Sequence, residues 1–311
     1  MGEITKIRTN SHDEWLALRG KYIGGSDAGA VVGLNPYSSP YSLWAEKTGR
    51  IPGFSGNLAT EVGTYLEEFI AQKFAAETGK KVRKCNHSFL NSQFPFAIAN
   101  IDREIVGEDA GLECKSTSEM NLKKFKGVEF PEIYYAQCVH YLAVTGKKRW
   151  YLAVLVGNRE FLTYILERDE AEIAALMAAE RDFWECVKND TPPIVDGLTA
   201  TTNALKTEYP ESEDYVVDLT LYKTNIERYL AINNQIKQLE TLRDEAANQI
   251  KERMCEAWGG ECDRYKVIWK SSTRRNFDSK RFIKEHPKLD LSNYFNESTT
   301  RTFRVTEIEQ N

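Results

Sequence analysis

Two periods of apolar residues run along this chain, and they divide it into elements. Ser11 and Glu14 form a capping box ahead of Trp15, Leu16 and Leu18, which predicts a short helix to about Arg19. Ser26 reads as the N-cap of a brief helix over 26–32, stopped by Gly33 and Pro36. Ser39-Pro40 opens another, which ends at Thr48-Gly49. The stretch 50–58, with Pro52, Gly53 and Gly56, is a loop. A longer helix follows over 60–78, with Val62, Leu66, Phe69, Ile70, Lys73 and Phe74 as its buried stripe. On that wheel Glu67 falls at the flank of the stripe, in line with Gly63, Ile70 and Phe74, while Glu68 turns to solvent. Gly63 is expected to let another backbone come close.

A basic strand around Val82 and a connection over 89–96 come next. Residues 98–115 then read as two apolar strands joined by a turn that Gly107, Asp109 and Gly111 make flexible. Alternation places Glu113 and Lys115 on one face, Leu112 and Cys114 on the other. The antiparallel return brings Asp102 near Glu113, in a register that the sequence leaves open. Lys123, Lys124 and Lys126 lie in a connection before Pro131, and a helix over 131–145 carries Ile133, Tyr134, Cys138, Tyr141 and Leu142. Segments 150–156 and 160–166 flank Gly157-Asn158 as a second hairpin. An alanine-rich amphipathic helix over 169–188 closes this unit before Pro192-Pro193.

The composition then changes. Residues 196–218 read as a polar linker, and 219–258 as one long helix with Ile232, Ile236, Leu239, Leu242, Ala246, Ile250 and Met254 close to a 3.5-residue repeat. A small β-rich tail follows, over 265–270 and 302–305. The expected organisation is a first domain over 1–195, a linker over 196–218 and an accessory helical/β module over 219–311.

At 311 residues and 41% hydrophobic, the chain has material for one substantial core and a smaller second unit. A net charge of −5 and a pI near 5.6 exclude a protein that coats nucleic acid by bulk charge. Affinity for DNA would have to come from local basic patches or from metal bridging to phosphates. The six cysteines, Cys85, Cys114, Cys138, Cys186, Cys255 and Cys262, contain no C-x-x-C pair. That favours reduced thiols in an intracellular protein over a disulfide framework, a structural zinc site or an iron–sulfur cluster. His12, His87, His140 and His286 show no ligand spacing, and His140 is expected to serve packing. Gly24-Gly25 is too short for a phosphate-binding P-loop. No apolar run reaches signal or membrane-span length, so a soluble, cytoplasmic protein without membrane contact is expected.

Two carboxylates and an ammonium on one face of a sheet are costly to bury without a use. A divalent metal is the natural one, since hard cations take carboxylate oxygens and a neighbouring lysine orients the water they bind. Alone, an aspartate followed by acidic-x-Lys is a common pattern, and a solvated hairpin is its plain alternative. The wider order is far less common: Glu67 on a helix, Asp102 and Glu113-x-Lys115 on adjacent strands, then Gln137 and Tyr141 on one face of the next helix. Arg19 and Ser26, near a predicted helix start, make either an anion site or a surface arginine and a simple cap.

These residues resemble those of the YqaJ-like viral recombinase nucleases, relatives of phage lambda exonuclease in the PD-(D/E)XK superfamily. Gly63-Thr-Tyr-Leu-Glu67 resembles the family's Gly-x-x-x-Glu helix, and Asn100-Ile-Asp102 stands where the family has its aspartate. Leu112-Glu-Cys-Lys115 is similar to the Leu-Glu-x-Lys strand, and Gln137-Cys-Val-His-Tyr141 to the Gln-x-x-x-Tyr helix shared with RecB-type nucleases. Arg19 and Ser26 match residues that hold the substrate's 5′ phosphate in lambda exonuclease. The resemblance spans roughly residues 12–190. One departure stands out: Asn-Ile-Asp-Arg replaces the Ser-Pro-Asp-Gly of lambda exonuclease, so Arg103 is expected to alter the local electrostatics.

The resemblance implies an α+β fold with an α/β core, a restriction-endonuclease-like mixed sheet flanked by helices. It implies a Mg2+-dependent DNA exonuclease, with Mn2+ as a substitute, acting 5′→3′ on double-stranded ends in phage or prophage recombination beside a single-strand annealing protein. Asp102, Glu113 and the Cys114 carbonyl would hold one ion, with Glu67 supporting it or a second. Lys115 would position the water or stabilise charge, and Gln137 and Tyr141 would hold Lys115, the water or the DNA strand. Lys123, Lys124 and Lys126 are candidates for DNA-backbone contacts. A homo-oligomer, a trimeric ring, follows by analogy alone. The rival readings are an endonuclease of the same superfamily and a non-catalytic DNA-end or annealase-binding module. The accessory module would serve self-association, partner binding or DNA guidance, or its helix packs back on the main domain.

Overall fold

The computed structural model describes residues 2–9 and 11–307, and the chain forms two units, one ending at Tyr209 and the other beginning at Pro210. The side chains of His12 and Asp13 lie outside what is described. In chain order the first unit begins with β1 (Ile4–Ile7), α1 (His12–Arg19), β2 (Ile23–Gly24), α2 (Gly25–Val31), α3 (Pro40–Lys47) and α4 (Leu58–Thr78). Then come β3 (Val82–Lys84), β4 (Ser88–Asn91), β5 (Ala97–Asn100), β6 (Arg103–Ile105) and β7 (Ala110–Thr117). It ends with α5 (Leu122–Phe125), α6 (Glu132–Thr145), β8 (Arg149–Val156), β9 (Glu160–Glu167), α7 (Glu170–Lys188) and α8 (Thr199–Glu208).

Among the described residues these strands make a four-stranded sheet, β1-β4-β5-β2, and a five-stranded sheet, β3-β6-β7-β8-β9. In the larger sheet β7 and β8 run parallel with α6 as their crossover, and the other neighbours are antiparallel. The central strand β8, Arg-Trp-Tyr-Leu-Ala-Val-Leu-Val, is almost continuously apolar because both of its faces are covered. On one side Val139, Leu142 and Ala143 of α6 share a core with Trp150, Leu152 and Val154. On the other, Ile70, Ala71 and Phe74 of α4 pack on Leu112, Cys114, Tyr151 and Ala153. The mixed sheet flanked by helices expected from the sequence is therefore the architecture observed.

Four expectations change. Residues 98–115 are not one hairpin: β5 belongs to the smaller sheet and β6 to the larger, and the chain crosses between them at Ile101-Asp102. Part of the expected connection over 89–96 is strand β4, paired with β1 and β5. The stripe of α4 is only half buried, with Ile70 and Phe74 enclosed against the sheet but Val62 and Phe69 exposed beside Leu58 and Tyr65. Within the expected linker, α8 packs on α3, burying Thr201 and Ala204, with the Thr201 hydroxyl bonded to Ser39 Oγ at 2.7 Å. Tyr41 Oη donates to Glu208 Oε2 at 2.7 Å, so this unit carries side-chain contacts up to the end of α8.

The second unit contains α9 (Lys223–Met254), a hairpin of β10 (Gly259–Cys262) and β11 (Tyr265–Ile268), and α10 (Ser279–Glu285). Residues 302–305 form no strand; Phe303 instead meets the Tyr229 ring edge-on at 5.4 Å. Ile232, Ile236, Leu239, Leu242 and Ile250 of α9 are exposed. Among the described residues, no helix is long and apolar enough to cross a membrane.

Candidate active site

Strand pairing assembles the site. Arg103 lies opposite Leu112, so Asp102, one residue earlier, stands opposite Glu113. Asp102 Oδ2 accepts the Cys114 N–H at 2.8 Å, and the Asp102 carbonyl accepts the Cys85 N–H at 3.2 Å. Both ends of the residue are thus fixed. Glu113 is 2% exposed, and its Oε1 accepts from Lys115 Nζ at 2.7 Å and from Gln137 Nε2 at 2.7 Å. Its other oxygen, Oε2, is buried with no hydrogen-bond partner. A carboxylate oxygen left that way forfeits its hydration for nothing, a penalty larger than an ordinary hydrogen bond returns.

The electrostatics point the same way. Burial first, and then the neighbouring Glu113 charge, push Asp102 well above the usual carboxylate range against the pull of Lys115. At Lys115 burial opposes the ammonium, but the charges of Glu113 and Asp102 outweigh it and raise its pKa, so Lys115 is a fixed cation and donor rather than a base. Its Nζ sits 5.4 Å from the centre of the Tyr134 ring, a cation–π contact. Burial also pushes the Cys114 thiol up, which leaves the Cys114 carbonyl rather than its sulfur as a metal donor. Two crowded acids, one with a bare oxygen, suit a hard divalent cation, which Asp102, Glu113 and that carbonyl would hold. Among the described residues no three His, Cys, Asp or Glu side chains form a group that could hold a metal ion.

Gln137 and Tyr141 join the site through Glu113. The Gln137 amide donates to Glu113 Oε1 at 2.7 Å and to Tyr141 Oη at 2.8 Å, so it braces the acid. The Tyr141 ring stacks at 4.9 Å on Trp150 and lies so close to Gly25 that a Cβ there would come within 2.4 Å of it. Trp150 in turn covers Gly111, where a Cβ would fall 2.3 Å from the indole. A column of Gly111, Trp150, Tyr141 and Gly25 thereby joins β7, β8, α6 and α2.

Glu67 does lie at the edge of the core, but its Oε1 pairs with Arg103 Nη1. Arg103 Nη2 reaches Glu68 Oε2 at 2.9 Å, so Glu68 is not simply solvated. Nothing of the backbone closes on Gly63, whose nearest neighbour to a Cβ would be Ser116 Oγ at 3.7 Å. Arg19 Nη2 donates to Ser26 Oγ at 2.6 Å. Ser26 is not the cap, however: Gly24 is, and Asp27 Oδ2 accepts its N–H at 3.0 Å. Asp27 also binds Lys47 at 2.8 Å and lies 3.7 Å from Arg19. Burial alone would raise Asp27, but Lys47 and Arg19 outweigh it and hold its carboxyl below the usual value. Lys123 and Lys124 are exposed on α5, whereas Lys126 is paired with Glu160 at 2.8 Å.

Sequence reasoning missed Tyr134, Trp150, Asp27 and Lys47. Tyr134 was traceable, being one helical turn before Gln137 on the same helix. The others gain their meaning only from packing. His140, expected to serve packing, is fully buried with Nδ1 2.8 Å from Glu180 and Nε2 3.0 Å from the Ile98 carbonyl.

The family model described as the YqaJ-like viral recombinase domain matches residues 14–148. The chain is 38% identical over 311 residues to the protein YqaJ of Bacillus subtilis (strain 168), covering 98% of this chain and 97% of that one. A segment of 55 residues, 18% of this chain and 16% of the relative, is 42% identical to protein D345L of African swine fever virus (strain Badajoz 1971 Vero-adapted). Among solved structures, the alkaline exonuclease LHK-Exo from Laribacter hongkongensis aligns with a TM-score of 0.47 at 20% identity, over 57% of this chain and 93% of that one. A phage related exonuclease from Haemophilus somnus 129PT aligns at 0.41 and 13%, over 54% and 96%. With more than a third of its residues shared along nearly the whole length of YqaJ, the chain belongs to the YqaJ-like viral recombinase family.

Proposed function

We propose that this chain is a metal-dependent DNA exonuclease that hydrolyses double-stranded ends from the 5′ terminus, working in recombination alongside a single-strand annealing protein. The observation that carries the reading is the buried, partnerless Oε2 of Glu113, held beside Asp102 and the Lys115 ammonium. Membership of a viral recombinase family supports the setting. A divalent ion, Mg2+ or Mn2+, would supply an acidified water and neutralise phosphate charge at this position. Asp102, Glu113 and the Cys114 carbonyl would be its ligands. Lys115, held protonated, donates hydrogen bonds to the water or to the phosphoryl oxygens as negative charge grows there. Gln137 keeps Glu113 in its rotamer, so that Oε2 faces the reacting centre. Arg19 and Ser26 would meet the terminal 5′ phosphate, with Lys47 offsetting the adverse charge of Asp27.

The test is degradation of end-labelled linear duplex with Mg2+ by wild type, Lys115→Ala and Glu113→Gln. Lys115→Ala is expected to slow the reaction by about 100- to 1,000-fold, the usual loss for one transition-state donor, and Glu113→Gln to slow it by at least roughly tenfold through weaker metal binding. Wild type that leaves the duplex intact, or variants that match it, would refute the reading. Closed circular duplex should persist; its linearisation would point to an endonuclease instead. Ends bearing a 5′ phosphate should be cut faster than 5′-hydroxyl ends, and Arg19→Ala should erase that difference.

A further inference from the structure

Arg103 is unusual for a charged side chain on a sheet: it is 2% exposed, with both terminal nitrogens bonded. Its Nη1 binds Glu67 Oε1 and the Asp102 carbonyl, the latter at 2.8 Å, while Nη2 binds Glu68 at 2.9 Å. The guanidinium therefore sits between α4 and the backbone of the aspartate that would ligate metal. Glu67 lies close enough to Asp102 for its charge to act on that carboxyl.

We propose that Arg103 stands in for a second metal: it holds Glu67 out of coordination, so the centre takes a single divalent ion on Asp102, Glu113 and the Cys114 carbonyl. The proposal rests on the metal-centre reading above. A planar fork bonded to two carboxylates and a carbonyl is well ordered and weakly hydrated, which suits a permanent buried cation better than lysine would. Removing it while keeping the volume leaves Glu67, partly buried, and the exposed Glu68 without their counter-charge at the edge of the centre, and a cation from solution is the available replacement.

Manganese binding to the full-length chain, free of DNA, tests this by electron paramagnetic resonance and calorimetry. Wild type should bind one Mn2+, and Arg103→Met should bind two. Glu67→Gln should keep one site with an affinity changed by less than the roughly tenfold that loss of a metal-site partner brings. That second variant keeps the question open to refutation if Arg103→Met does not fold. Two ions in wild type, one ion in a folded Arg103→Met, or a Glu67→Gln affinity lowered by more than that margin would each overturn the inference. In those cases a site abolished by Glu113→Gln would leave the metal-centre reading standing. Wild type that binds no Mn2+ would overturn both.

Discussion

At the scale of single residues, the site is built by the absence of side chains as much as by their presence. Gly111 shows which effect wins. Alanine there would gain about 0.4–1 kcal/mol by restricting the unfolded chain. Its Cβ would also meet the Trp150 indole at 2.3 Å, and overpacking of that kind costs about 1–3 kcal/mol or more. Gly111→Ala is therefore expected to lower the thermal midpoint, which a melting curve checks directly. The acids and the lysine were legible in the sequence because strand alternation alone puts Glu113 and Lys115 on one face. The partners of Arg103 were not, since Glu67 and Glu68 lie 36 and 35 residues away and only the packing of α4 brings them to it.

Among elements, a buried ion pair decides how α6 is anchored. His140 on α6 places both ring nitrogens within hydrogen-bond reach of oxygens, Glu180 of α7 and the Ile98 carbonyl of β5, and an imidazolium donates to both. Burial opposes that charge, but Glu180 and the carbonyl outweigh it and raise the His140 pKa above 6.5. For a raised histidine the folded state holds the extra proton, so this stability is complete below about pH 6.5 and is lost as pH climbs through the folded value. Urea midpoints should accordingly fall with rising pH on that side. His140→Ala should lose about 3–5 kcal/mol, whereas the double change His140→Leu with Glu180→Met should be close to neutral and flatten the pH slope. Helices α4, α6 and α7 were legible from their periodicity. β4 and the crossing of sheets at Ile101-Asp102 were not, because they depend on pairing with β1, at the other end of the domain's sequence.

Taken as a whole, an acidic chain would have to concentrate its contacts to work on DNA as proposed. With a net charge of −5, affinity would rest on a few cations and on the proposed metal rather than on a general field. Lys123 and Lys124 are exposed and make no ion pair among the described residues, while Lys126 is engaged by Glu160 at 2.8 Å. If the two free-standing lysines meet phosphates, replacing both by alanine should weaken duplex binding evenly across sequences and reduce the slope of log K against log salt by roughly 2. Lys126→Ala should change it less, as titrations at several salt concentrations would show. The column of Gly111, Trp150, Tyr141 and Gly25 has its own consequence at this scale. Each member fits only because the next leaves it room, so drift at one position has no neutral first step. Lineages that depart from this quartet should do so by exchanging several members together, and single exceptions should carry a matching cavity nearby.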